Sequence, residues 1–134
     1  MLQVVGTLYI ENRKLLLDKP RKRPTHQMIG GKIEPGETPI QAAYRESIEE
    51  LGSKNISLDA FEYIMDFEET PTTDPNGKMR FYLFKYNGTL TDTPITSEEI
   101  ESFLWYDSSL GDSMLSYTLK DVVIPYCLQN DLID

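Results

Sequence analysis

The amino-acid sequence predicts a layered α/β domain. Strand-like segments rich in Val, Ile, Tyr and Phe occur at residues 3–10, 61–67 and 79–86. Residues 39–51 and 117–129 instead show apolar residues at helical spacing or helix boundary signals. Strands mixed with two helices favour a sheet covered by helices.

Length and charge limit the function. The chain has 134 residues, of which 40% are hydrophobic, which predicts one domain over residues 1–134. The formal net charge of -9 argues against binding to nucleic acid polymers and to membrane surfaces, because both need clustered cations. A polyanionic substrate therefore needs a divalent cation to offset the carboxylates.

Cysteine use and the N-terminus predict the compartment. Cys127 is the only cysteine, which excludes an intrachain disulfide and a multi-cysteine zinc site. The first ten residues lack a secretory signal, and no window approaches the roughly 20 apolar residues of a membrane span. We expect a soluble cytoplasmic protein, either a monomer or a homodimer.

The N-terminal quarter predicts a hairpin followed by a basic loop. Residues 3–10 and 15–17 are apolar and are separated by a polar stretch, which indicates two strands joined by a turn. Residues 19–24 are basic and contain two prolines, which is typical of an exposed loop. Arg21 and Arg23 in this loop are candidates for substrate phosphate contacts, and a solvated loop is the alternative.

Helix signals around residues 39–51 agree with one another. Thr38 can be the N-cap, Pro39 suits the first helical position, and Gln41 completes a capping box. Gly52 supplies the stop. Apolar residues at helical spacing should face a sheet, namely Ile40, Tyr44, Ile48 and Leu51.

The C-terminal half predicts a hairpin and a closing helix. Residues 61–67 and 79–86 flank residues 74–77, which are dense in turn formers. Residues 117–129 then predict a helix that tolerates Pro125.

The strand at residues 79–86 carries aromatic side chains on alternating faces. Phe81 faces one side, and the other side is formed by Arg80, Tyr82, Phe84 and Tyr86. Tyr82 is the candidate for contact with a nucleotide base. Core packing is the alternative for most of these aromatics, as it is for Trp105 and Cys127.

Three carboxylates on the helix predict a metal site. Glu46, Glu49 and Glu50 are three or four residues apart and project toward one region. Like charges repel at this spacing, and anions are unfavourable near a helix C-terminus. A cation relieves both effects, and carboxylate oxygens suit Mg²⁺ or Mn²⁺. A solvated acidic face is the alternative.

Residues 31–53 resemble the Nudix box of MutT-like hydrolases. The matching positions are Gly31, Glu37, Arg45, Glu46, Glu49, Glu50 and Gly52. The resemblance implies a Nudix fold, which is an α/β/α sandwich around a mixed β-sheet. It also implies hydrolysis of a nucleoside diphosphate that is linked to another group.

The resemblance implies roles for individual residues. The metal ligands would be the carbonyl of Gly30 and the carboxylates of Glu46, Glu49 and Glu50. Glu99, before a later strand, would be a further ligand or the general base, and Glu98 is the second candidate for this acid. We also expect Gly30 and Gly31 to adopt backbone conformations that bring a carbonyl to the metal.

Other positions would support the site or modify it. We expect Arg45 to pair with Glu37 or Glu49 and to fix the loop against the helix. Lys32, beside the glycine pair, is a further candidate for substrate contact. The sequence departs from the family pattern at Ile29, Ser47 and Ser53, which weakens the expected packing.

The nucleotide itself is left open by the sequence. Nucleoside triphosphates, including oxidised purines such as 8-oxo-dGTP, and nucleoside diphosphate derivatives all fit the same box. One alternative is a Nudix-fold module that binds a nucleotide without cleaving it, and the complete set of acids argues against it. Another is a diphosphate isomerase, for which Cys127 lies in the wrong region.

Overall fold

The computed structural model of the chain describes residues 1–70 and 77–134. The strands are β1 (Leu2–Leu8), β2 (Ile10–Glu11), β3 (Lys14–Pro20), β4 (Gln27–Lys32), β5 (Phe61–Glu69), β6 (Met79–Tyr86) and β7 (Ile100–Tyr106). The main helices are α1 (Pro39–Leu51) and α2 (Ile124–Gln129). In these two ranges no helix is long and apolar enough to cross a membrane.

The strands form a mixed sheet with β1 near its centre. The order is β2, β3, β4, β1, β6 and β5, and β7 also pairs with β3. β1 runs parallel to β6, with Val5 opposite Tyr82, and antiparallel to β4, with Gly6 opposite Gly30. The remaining pairs are antiparallel. This register places the glycine pair of β4 beside the middle of β1.

Hydrophobic clusters cover both faces of the sheet. On one side, Ala43 and Leu51 of α1 pack with Val5, Leu16 and Ile29. On the other side, Leu119 and Cys127 of the C-terminal helical segment pack with strand residues, namely Leu8, Leu17 and Leu83. Helices on both faces confirm the predicted α/β/α sandwich.

The ends of α1 confirm the helix predicted from the sequence. The Gln41 backbone N–H donates to Thr38 Oγ1 at 3.3 Å, and the Thr38 N–H donates to Gln41 Oε1 at 2.9 Å. Gly52 ends the helix in the left-handed conformation, with φ of 66°. Ala42, Ala43, Ser47 and Leu51 are the buried residues, and Ile40, Tyr44 and Ile48 pack around them while half-buried.

The N-terminal hairpin has fewer paired residues than predicted. Residues 3–10 do not pair along residues 15–17, because β1 pairs with β4 and β6 instead. The turn joins only the short β2 to β3, with Ile10 opposite Leu15. β3 also extends to Pro20, so the basic loop begins at Arg21 rather than at residue 19.

The predicted hairpin of β5 and β6 forms with antiparallel pairing from Phe61 opposite Tyr86 to Glu69 opposite Met79. Most of the turn predicted at residues 74–77 lies outside the described residues. Phe81 packs on the α2 side, whereas Tyr82, Phe84 and Tyr86 pack on the α1 side. The predicted alternation is confirmed.

The closing helix contains a wide turn before its proline. A π-helical turn, Leu119–Val123, leads directly into α2, in which Pro125 is near the start. A proline inside a helix lacks an N–H donor, and its ring clashes with the carbonyl four residues earlier. The wider turn gives the ring room, and the helix continues.

Candidate active site

Two glycines allow α1 and β1 to approach β4 closely. A Cβ on Gly31 would lie 2.6 Å from the Glu46 carboxylate, and one on Gly30 would lie 2.0 Å from the Val5 carbonyl oxygen. Both residues are in extended strand, and neither has a positive φ. The glycines therefore allow close approach of α1 and β1 while they remain in extended strand, without a left-handed conformation.

Arg45 ties the loop before α1 to the helix. Its Nε and Nη2 donate to the two carboxylate oxygens of Glu37 at 2.7 and 2.9 Å. Nη2 also donates to the Lys32 carbonyl at 2.9 Å. Nη1 donates to Glu46 Oε1 at 2.9 Å and to Glu49 Oε2 at 3.4 Å. Arg45 thus pairs with both partners expected from the sequence.

The electrostatics of this pair favour full ionisation. Hydrogen bonds from Arg45, and then from the Glu34 backbone N–H, lower the pKa of Glu37 to about 2. The Glu37 carboxylate in turn raises the pKa of Arg45. The loop and the helix are therefore joined by a bidentate salt bridge between Arg45 and Glu37, and both groups stay charged at neutral pH.

Glu50 lies deeper than the other acids of α1 and contacts Asp18 of β3. Burial is the first cause that raises the pKa of Glu50, and the Asp18 carboxyl adds to it, while the Gly30 N–H acts in the opposite direction. Burial also raises the pKa of Asp18 to about 6. The sequence analysis did not identify Asp18. The available signal was its place two residues after Leu16 in a strand, which points both side chains to the face that α1 covers.

Two buried hydroxyl groups, those of Tyr9 and Ser47, lie near Glu50 beneath α1. Both side chains are almost fully buried, at 2% and 1% exposure. Burial raises the pKa of Tyr9, and the nearby Ser47 hydroxyl opposes the effect. Ser47, a departure from the apolar family pattern, thus stands beside another hydroxyl.

The other two departures also have local roles. Ser53, just after α1, donates to Asp92 Oδ2 at 2.6 Å and accepts from the Asn55 N–H at 3.1 Å. Ile29 is fully buried in the α1 side of the core.

The residues present fit a divalent cation. Glu50 Oε2 is buried and has no hydrogen-bond partner in the described residues. The positive Nη1 of Arg45 lies between Glu46 and Glu49. Within residues 1–70 and 77–134, no three His, Cys, Asp or Glu side chains are already spaced to hold a metal ion. Arg45 pairs with Glu46 and Glu49, so a cation bound by these two acids would replace its contacts with them.

Glu99 lies away from these contacts. It is exposed in the segment before β7, and its carbonyl accepts from the Arg21 N–H at 2.9 Å. Arg21 Nε donates to the Ser97 carbonyl at 3.3 Å. The structure thus brings Glu99 beside the basic loop, and its side chain makes no ion pair with α1 among the described residues.

The remaining substrate candidates differ in exposure. Arg23 and Lys32 are exposed, and Lys32 ends β4 next to the loop held by Arg45. Tyr82 is half-buried on the α1 side of the sheet, packed against the core there. Lys32 and Tyr82 therefore lie on strands that adjoin β1 on opposite sides.

A family model identifies the chain. The NUDIX domain model matches residues 2–110. The chain belongs to the Nudix family. Its fold is the Nudix fold, and it is a Nudix pyrophosphohydrolase, of a family that acts on nucleoside diphosphate derivatives and generally uses a divalent metal ion.

Solved structures share this Nudix fold. The MutT protein from Methanosarcina mazei Go1 is 20% identical, with a TM-score of 0.76 over 96% of this chain and 94% of that one. A C. elegans Ap4A hydrolase in a binary complex is 16% identical, with a TM-score of 0.71 over 97% of both chains. No curated protein sequence matched the chain.

A third structure carries ligands. It is a bifunctional NMN adenylyltransferase/ADP ribose pyrophosphatase from Francisella tularensis, complexed with AMP and a Mn ion. It is 17% identical, with a TM-score of 0.72 over 96% of this chain and 41% of that chain. At these identities the likeness shows the fold alone.

Proposed function

We propose that this Nudix enzyme hydrolyses the diphosphate linkage of a nucleoside triphosphate or a nucleoside diphosphate derivative with Mg²⁺ as its cofactor. The carrying observation is the α1 to β4 contact, where Glu46 packs against Gly31 and Glu50 lies beside Gly30 with a buried, unpaired oxygen. Backbone carbonyls of the strand that carries the two glycines and carboxylates of the facing helix are hard oxygen ligands, which Mg²⁺ prefers.

The proposed ligands are the carboxylates of Glu46, Glu49 and Glu50 and the carbonyl of Gly30. A bound divalent cation supplies the positive charge that a diphosphate needs when water attacks phosphorus. Mn²⁺ is an alternative ion, in line with the Mn ion in the Francisella tularensis neighbour. Glu49 is the most exposed of the three acids, with 58% of its side chain accessible, and it can reach a substrate from the solvent side.

Arg45 positions these acids. Its bonds to Glu37 and to the Lys32 carbonyl hold the guanidinium at the base of the loop. From there Nη1 orients Glu46 and Glu49 until the cation binds. Arg45 itself remains charged throughout, so it also lowers the electrostatic cost of bringing a polyanion to an acidic protein.

Substrate contacts are proposed for the cations and the aromatic residue around this centre. Arg21, Arg23 and Lys32 would bind phosphate oxygens, which offsets the net charge of -9 near the substrate. Tyr82 would contact the base. Glu99 is proposed as a general base or a further ligand carried by the segment before β7.

The test is Mg²⁺-dependent turnover across a substrate panel. The panel contains nucleoside triphosphates, 8-oxo-dGTP, dinucleoside polyphosphates, ADP-ribose and nucleotide sugars, and the products are identified by chromatography so that the cleaved bond is known. We expect turnover of at least one of these substrates and none with excess chelator. Tight nucleotide binding without product from any of them would favour a non-catalytic module.

Variants assign the roles. Glu49→Gln and Glu50→Gln should lower kcat by more than about 100-fold, because loss of outer-shell support alone typically costs 10–100-fold. Glu99→Gln tests the general base through a change in the pH profile of kcat. Glu11→Gln on β2 is the matched control, since it removes a carboxylate away from α1. Unchanged turnover in both helix variants would contradict the proposed ligands.

A further inference from the structure

We infer that Asp18 of β3 is a further acid of the cation site, although it lies outside the Nudix box. The inference rests on the proposed function, because it concerns how the divalent cation is held. With the cation bound, the Asp18 carboxylate supports it together with Glu50.

The first observation is the burial of Asp18 without a compensating charge. The residue is 1% exposed, and Oδ1 has no hydrogen-bond partner in the described residues. A buried carboxylate is costly unless a cation or several donors face it. The adjacent Lys19 does not neutralise Asp18, because its Nζ is paired with Glu101 Oε2 at 3.4 Å.

The second observation is that Asp18 faces another acid. Its carboxyl shares a hydrogen bond with that of Glu50, and no other donor in the described part of the chain reaches Asp18 Oδ1 or the buried Glu50 Oε2. Two carboxylates in contact away from water repel strongly. Arg45 makes no ion pair with either of them, since its contacts are with Glu34, Glu37, Glu46 and Glu49.

The third observation is the position of this pair in the fold. Asp18 lies opposite Gln27 in the pairing of β3 with β4, at the strand that also carries Gly30 and Gly31. Glu50 lies beside the Gly30 N–H, so the acid pair is next to the proposed carbonyl ligand. A divalent cation there meets carboxylates from two elements, α1 and β3, and satisfies the unpaired oxygens of both.

The experiment measures Mn²⁺ binding to the metal-free full chain without nucleotide, using the electron paramagnetic resonance signal of free Mn²⁺. The variants are Asp18→Asn and Glu50→Gln. Asp107→Asn removes one carboxylate after β7 and controls for net charge. We expect Asp18→Asn to weaken Mn²⁺ binding by about 10- to 100-fold. Asp107→Asn should bind as the wild type does.

Thermal melting of the metal-free proteins separates this role from a purely structural one. Asp18→Asn removes one of two facing carboxyls, so its Tm without metal should stay equal to that of the wild type or rise. A structural role would instead lower the Tm and leave Mn²⁺ affinity unchanged. Asp18→Ser is the second variant if the Asn protein does not fold, and failure of both to fold would overturn the inference.

The outcomes distinguish this inference from the proposed function. If the wild type binds Mn²⁺ and Glu50→Gln does not, while Asp18→Asn equals the wild type, Asp18 is no part of the site and a shared proton suffices for the acid pair. If the wild type binds no Mn²⁺ at all, both the metal centre and the role of Asp18 are wrong.

Discussion

At the contact between α1 and β4, two adjacent glycines meet different kinds of neighbour. A side chain on Gly30 would strike the backbone carbonyl of Val5, whereas one on Gly31 would strike the flexible end of Glu46. Backbone in a sheet moves only together with its hydrogen bonds, but a glutamate carboxylate moves by rotation of its own side chain. The same substitution should therefore affect different properties at the two positions.

Gly31→Ala is expected to lower Mg²⁺-dependent kcat by about 10-fold or more while changing the Tm little, because the new methyl group displaces Glu46. Gly30→Ala is expected to destabilise the protein by about 1–3 kcal/mol, as overpacking does. Urea unfolding and turnover of both variants check this. Full activity in Gly31→Ala would show that Glu46 need not lie against β4.

At the site, contacts within α1 and its preceding loop follow from local spacing, whereas contacts between strands do not. The spacing of Glu46, Glu49 and Glu50 predicts a shared face, and the pairing of Arg45 with Glu37 follows from one helical turn and a short loop. The contact of Glu50 with Asp18 depends on how β3 is placed against β4, which local periodicity does not encode. The burial of Glu50 was therefore not predictable.

Within α1, the end contacts and the loop contact stabilise different parts of the helix. The capping box satisfies backbone donors at the N-terminus, and Gly52 ends the helix in a conformation suited to glycine. Both features were predictable because caps depend on neighbours in sequence. Arg45 instead joins the helix to the preceding loop through Glu37.

Thr38→Ala should lower the free energy of unfolding by about 1 kcal/mol, since the Gln41 N–H loses its side-chain acceptor. Thr38→Ser keeps a hydroxyl and should lose much less. Urea unfolding of the two variants gives the comparison. Equal destabilisation by Ala and Ser would mean that the threonine methyl group, rather than the cap, carries the effect.

Glu37→Gln removes the charged contact with Arg45 and should destabilise the protein in a pH-dependent way. The pKa of Glu37 is about 2 in the fold, below its ordinary value of 4.5. Because the folded pKa is depressed, the stabilisation is complete above about pH 4.5 and is lost as pH falls toward 2.

The difference in unfolding free energy between the wild type and Glu37→Gln should accordingly shrink between pH 6 and pH 3, as measured by urea unfolding. Glu34→Gln is the matched control, because Glu34 Oε1 lies 3.8 Å from Arg45 and is more exposed. A pH-independent difference would mean that the hydrogen bonds matter and the charge does not.

Across the whole molecule, the order of elements was more predictable than their pairing. Residue patterns located β1, α1, β5, β6 and the closing helix, because burial on one or both faces leaves a local periodicity. The parallel pairing of β1 with β6 was not predictable, since it joins segments far apart in sequence. It arises because β1 needs partners on both edges while helices cover both faces.

The layer on the α2 side provides a test of how tightly this sandwich packs. Cys127 is fully buried there, and burial raises the pKa of its thiol from 9.0 to about 12. Because the folded pKa is raised, the stabilisation from the neutral thiol is complete below about pH 9 and is lost as pH rises toward 12.

Between pH 8 and pH 10, the free energy of unfolding of the wild type should therefore fall by about 1.4 kcal/mol more than that of Cys127→Ala, since ionisation of the unfolded thiol contributes that amount per pH unit above its pKa. Titrating tyrosines act on both proteins and cancel in the difference. Urea unfolding at the two pH values measures it. Parallel pH curves would mean that the thiol ionises in the native state, which requires water to reach the interface between the closing helix and the sheet.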